Sequence, residues 1–68
     1  MIPLSLADSL PKQQQRVRAL MDEYRSIGPA GTFALAMMEQ ALRRAETASA
    51  AGDIAEMIRA HEELRGFE

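Results

Sequence analysis

The chain has 68 residues and no cysteine, so no disulfide or thiolate-held metal reinforces it, and its single histidine, His61, excludes a histidine-rich metal site. Its formal net charge is −2, and both signs are spread along the chain without a basic cluster. That balance argues against general binding to duplex nucleic acid. A domain this short buries only about 60% of its unfolded surface. With 47% hydrophobic residues, homo-oligomerisation is the expected source of additional core.

The N-terminal MIPLSLADSL lacks the basic start and long apolar core of a secretory signal. No stretch approaches the roughly 18 apolar residues of a membrane span. A cytoplasmic location with no membrane contact is therefore expected. Residues 1–10 read as a loose arm, bracketed by Pro3 and Pro11, ahead of a single helical domain over 11–68. Pro11 suits a first helical turn, where its missing N–H costs nothing, with Asp8 or Ser9 as the cap. Val17, Leu20, Met21, Tyr24 and Ile27 recur at three- and four-residue steps. They form one apolar stripe and predict a first helix over about 11–26, ended by Gly28-Pro29.

Thr32, after Gly31, is a good N-cap for a second helix over about 32–51. Its start, FALAMM, is apolar nearly all round and needs more neighbours than one helix provides. Its end, AETASAA, is small enough for close helix approach. Glu39 and Arg43 are spaced as a favourable i,i+4 pair. Gly52 is a natural helix-ending residue and Asp53 a natural N-cap. Ile54, Met57, Ile58, His61 and Leu64 then line one face of a third helix over about 53–65, closed by Gly66. The predicted fold is all-α: three short helices as antiparallel neighbours in a hairpin or bundle, homo-oligomeric.

The stretch from Ala41 to Leu64 has the rhythm of a tetratricopeptide hairpin but occurs once, whereas solenoids need about three copies. A plain helical hairpin accounts for it. No nucleophile stands near His61, and the carboxylates of Asp22-Glu23 and Glu62-Glu63 are sequence neighbours that diverge on a helix. No catalytic residue, metal ligand or cofactor site is expected, and His61 reads as a partly buried core histidine. The five methionines suit core or subunit interface, or else an adaptable partner surface.

The corner GPAGT carries two readings. As structure, Gly28 ends one helix, Pro29 prevents its continuation and Thr32 caps the next. As a site, the helix N-terminus offers N–H groups and positive dipole to an anion. Gly31 then permits close approach, the Thr32 hydroxyl donates, and Tyr24 and Arg25 arrive from the first helix. Arg65 returns from the third helix, and Phe33 adds a ring. Tyr24, Arg25, Gly28, Gly31, Thr32, Phe33 and Arg65 are the candidate ligand-binding residues.

Y-x-x-I-G-P-A-G-T-F (Tyr24 to Phe33) and A-G-D-x-x-x-M-I-R-A-x-x-x-L (Ala51 to Leu64) resemble segments of small helical proteins encoded by temperate phages and prophages of proteobacteria. The resemblance covers roughly residues 14–68. It implies a non-enzymatic protein that acts by binding in the cytoplasm of a host cell. In architecture alone the chain is also similar to phage sponges for cyclic nucleotides. That similarity implies sequestration of a cyclic oligonucleotide immune signal around GPAGT. The alternative is a module that grips a host protein through its Met-rich apolar face or its GFE tail.

Overall fold

The computed structural model describes the backbone of residues 2–68 and the side chains from residue 6 onward. Three α-helices, α1 (Ile2–Ser26), α2 (Thr32–Ala51) and α3 (Ile54–Arg65), are linked by a 3-10 turn at Gly28–Gly31 and by Gly52-Asp53. No strand occurs among the described residues. Each helix packs on the other two, in a rod measuring 40 × 17 × 16 Å. The helical class follows from the three- and four-residue apolar spacing, which no period-two pattern opposes.

The first helix starts at Ile2, so the segment expected as a loose arm is helical, and Pro11 lies inside a helix instead of opening one. Met1 lies outside the described residues. The physical reason is apolar burial. Leu6 and Leu10 extend the stripe of Val17 and Met21, and all four are buried in one core. An internal proline costs about 3 kcal/mol through a lost hydrogen bond and a clash with the carbonyl four residues back. Burying two leucines is worth about 1.5–3 kcal/mol each, which offsets it. Pro11→Ala is therefore expected to stabilise the protein by about 2 kcal/mol and to raise Tm by roughly 10 °C in a circular-dichroism melt. Were residues 1–10 an arm, the change would leave Tm almost unmoved.

The core joins Val17 and Met21 of α1, Met38, Ala41, Leu42 and Ala45 of α2, and Ala60 and Leu64 of α3. Ala41, Ala45 and Ala48 are buried along one face of α2, the close approach that its small residues permit. The expected stripe on α3 is only half right. Leu64 is buried and Met57 packs on the core, but Ile54 and Ile58 are exposed. Ala60 faces inward in their place, because a small residue lets α3 approach the alanine face of α2. Ile27, expected to close the stripe of α1, is likewise exposed.

Between α2 and α3 the local signals hold. Gly52 takes the left-handed conformation (φ 66°), and its N–H donates to the Ala48 and Ser49 carbonyls. The Asp53 carboxylate accepts from the Glu56 N–H at 3.2 Å, capping α3. At the other corner Thr32 is the first residue of α2 and not its N-cap. The 3-10 turn feeds straight into the helix, and the Thr32 N–H donates to the Pro29 carbonyl. Gly31 takes the N-cap position in its place, and no side chain caps this end of α2.

Candidate functional site

The GPAGT corner is built by backbone contact. Gly28 has φ +78°, a conformation glycine adopts without steric penalty. Gly31 is buried. A β-carbon there would lie 2.5 Å from the Tyr24 carbonyl oxygen and 3.3 Å from Cγ1 of Ile27. The missing side chain of Gly31 thus lets the turn lie against the last turn of α1, so the close approach expected for a ligand is taken by the protein's own backbone.

Of the other expected binding residues, Tyr24, Thr32 and Phe33 adjoin this corner, but the two arginines are engaged elsewhere. Arg25 donates to Asp22 at 2.8 Å, and Arg65 donates to Glu62 at 2.8 Å. Arg25 lies in a shallow groove with Arg18 and Arg43 but also with Asp22, Glu39 and Glu46, which leaves no excess of positive charge. The Tyr24 hydroxyl donates to the Glu68 carbonyl at 2.6 Å. Thr32 is exposed, and Phe33 is 78% exposed with no covering neighbour.

The placement of Arg65 follows from a residue that sequence reasoning passed over. Arg16 donates to the Leu64 carbonyl at 2.7 Å and to the Phe67 carbonyl at 2.9 Å. It thereby satisfies carbonyls at the end of α3 and places positive charge at the negative end of its dipole. Arg16 precedes Ser26 by ten residues, about 15 Å along a helix. The end of α3, with Arg65, therefore meets the middle of α1, and the tail beyond it reaches the Tyr24 hydroxyl. The same bonds pin the GFE tail: Phe67 packs on the core, so the tail expected to grip a host protein grips α1. Only the tertiary fold brings Arg16 to these carbonyls, and no local pattern marks it.

Most methionines also serve the core. Met21 and Met38 are buried and Met57 is partly so, which leaves Met37, 42% exposed, as the accessible one among the described residues. The expected Glu39–Arg43 pair is not formed among the described residues, where the cross-helix pairs are Arg18–Glu46, at 3.1 Å, and Arg44–Glu63. The hydrogen bonds that Arg44 donates to the Glu63 carboxylate, reinforced by that group's charge, raise the guanidinium above its usual pKa. His61 is partly buried as expected, and its Nε2 is enclosed without a hydrogen-bond partner. Among the described residues no three of His, Asp and Glu gather as a metal site. No helix among the described residues is long and apolar enough to cross a membrane.

Two surface features remain. One is the exposed apolar pair Phe33 and Met37, one turn apart on the same face of α2. The other is an open groove of about 400 Å³ between α2 and α3, bordered by Gln40, Arg44, Thr47, Ala51, Asp53 and Glu56. The sequence matches no family model, and comparison with characterised proteins and with solved structures finds no match.

Proposed function

We propose that this chain is a non-enzymatic interaction protein, an up-down-up helical bundle that binds a protein partner through the exposed apolar start of α2. The observation that carries this reading is Phe33, 78% exposed, one helical turn from exposed Met37 at the start of α2. Exposed large apolar groups gathered at one place mark binding surfaces, whereas scattered ones do not. Phenylalanine and methionine are also enriched in interface cores. The resemblance to phage-encoded helical proteins supports a setting in which such binding regulates a host protein or counters a host defence.

Sequestration of a cyclic oligonucleotide is the weaker reading. It requires phosphate donors gathered at GPAGT, and there Gly31 is covered and the Thr32 N–H is paired, while Arg65 is paired with Glu62.

Photo-crosslinking in cells tests the proposal. A benzophenone side chain at position 33 is expected to give protein adducts, and one at exposed Ala55 is expected to give few. Phe33→Glu, at an open position, is expected to keep helical content and to weaken partner binding by about tenfold or more, the loss of about 1.4 kcal/mol. Equal adducts at both positions, or unchanged binding by Phe33→Glu, would contradict it.

A further inference from the structure

We infer that the partner of this surface is a second copy of the chain, with two α2 helices side by side and pointing in opposite directions; this rests on the reading of Phe33 and Met37 as a binding surface. The observation is a single line of residues down α2: Phe33, Met37, Gln40, Arg44, Thr47 and Ala51. All six are exposed. Their alternating four- and three-residue steps keep them on one face of the helix, the spacing of a helix–helix seam.

The two ends of this line differ in a way that fits them to each other. Phe33 and Met37 are large, apolar and uncovered. From Gln40 onward the line borders the groove between α2 and α3, which is lined by the small residues Ala48 and Ala51. When a second copy is turned end over end about an axis midway between Gln40 and Arg44, Phe33 comes opposite Ala51. Met37 comes opposite Thr47, and Gln40 opposite Arg44. The same contacts recur on the other side of the axis, so the surface is complementary to itself and the assembly closes as a two-fold dimer. Each large apolar side chain meets a small one, the alternation that lets facing layers interdigitate, while Gln40 and Arg44 meet at the axis.

Charge fits the same register. Neither the 3-10 turn nor the first turn of α2 carries an acidic residue, so the positive end of the α2 dipole has no carboxylate of its own. In the dimer it comes level with Asp53 and Glu56 of the second copy, the carboxylates at the foot of the groove, which within their own chain also cap α3 and pair with Arg59. Arg43, the groove cation without an ion pair among the described residues, is exposed on the rim and free to point into water.

The contact strip sets the affinity. From Phe33 to Ala51 it runs about 27 Å, and at one helix width of about 10 Å its footprint is about 270 Å². Stable interfaces bury about 800 Å² per partner. The dimer is therefore reversible, with half-dissociation in the micromolar range or above.

Sedimentation equilibrium over a micromolar concentration series is expected to show monomer and dimer exchanging, with Phe33→Glu weakening the dimer about tenfold or more. Cysteines test the register in a chain that has none. In Met37→Cys/Thr47→Cys the two sites lie about 15 Å apart within one chain, beyond the roughly 7 Å that a disulfide spans. Mild oxidation is expected to give a covalent dimer of the double variant, while Met37→Cys alone stays largely unlinked. A wild-type chain that is monomeric throughout overturns the inference, as does Met37→Cys linking as readily as the double variant. If that monomer still gives adducts with another protein at position 33, the surface reading stands and only its partner is wrong. A dimer insensitive to Phe33→Glu, with no adduct at position 33, overturns both.

Discussion

Gly31→Ala is expected to destabilise the protein by about 3 kcal/mol, although alanine is the better helix former. The added β-carbon would sit 2.5 Å from the Tyr24 carbonyl oxygen, 0.9 Å inside the 3.4 Å at which ordinary contact begins. The obstacle is backbone at the end of a helix and cannot rotate away. A domain of this length has a total stability of about 3–10 kcal/mol, so the variant loses a large part of it, and Tm falls by roughly 12 °C or more. Gly28→Ala provides the internal control. Nothing lies within 4 Å of a β-carbon there, and only the positive φ of 78° opposes the change, a cost of about 1–2 kcal/mol. Thermal melts of the two variants should separate them clearly. If Gly31 instead served a ligand, Gly31→Ala would leave Tm unchanged and affect binding alone.

Leu10→Ala is expected to cost about 2–5 kcal/mol, the range for removing a buried leucine side chain. Leu10 is 1% exposed and lies in the segment that reads from sequence as a loose arm. An arm residue replaced by alanine would change stability by less than about 0.5 kcal/mol. Urea unfolding distinguishes the outcomes, since the midpoint should fall with little change in slope. Together with the gain expected for Pro11→Ala, this tests whether α1 runs unbroken from Ile2 to Ser26.

What was legible in the sequence was local. The Gly52-Asp53 junction could be read because a left-handed glycine and a capping carboxylate act on their immediate neighbours. The bounds of α2 were legible because nothing between Thr32 and Ala51 interrupts a helix. Where tertiary contacts outweigh a local signal, the reading failed. Pro11 is a strong helix breaker by itself, yet the burial of Leu6 and Leu10 overrides it. Ile54 and Ile58 fit an apolar stripe better than Ala60 does, but the alanine face of α2 selects the small residue.

The placement of Arg65 differs from expectation for a related reason. Arg65 joins the corner only if α3 reaches the start of α2. With 12 residues against 20, α3 is about 12 Å shorter than α2, and Arg16 fixes its end at the middle of α1. The lengths could be read from the sequence, but the register could not. The surplus of apolar residues in FALAMM was legible, and it marks the surface that the bundle leaves uncovered at Phe33 and Met37.

The central claim is that binding resides on the exposed line of α2 and not at the GPAGT corner. Amide NMR shifts of the labelled protein, followed first on dilution and then on addition of cyclic di- and trinucleotides, test it most directly. The expected result is a concentration-dependent shift along Phe33, Met37, Gln40, Arg44, Thr47 and Ala51, with no nucleotide response from Gly28 to Thr32. A spectrum unchanged on dilution, with saturable nucleotide shifts at Gly28, Gly31 and Thr32, would contradict it.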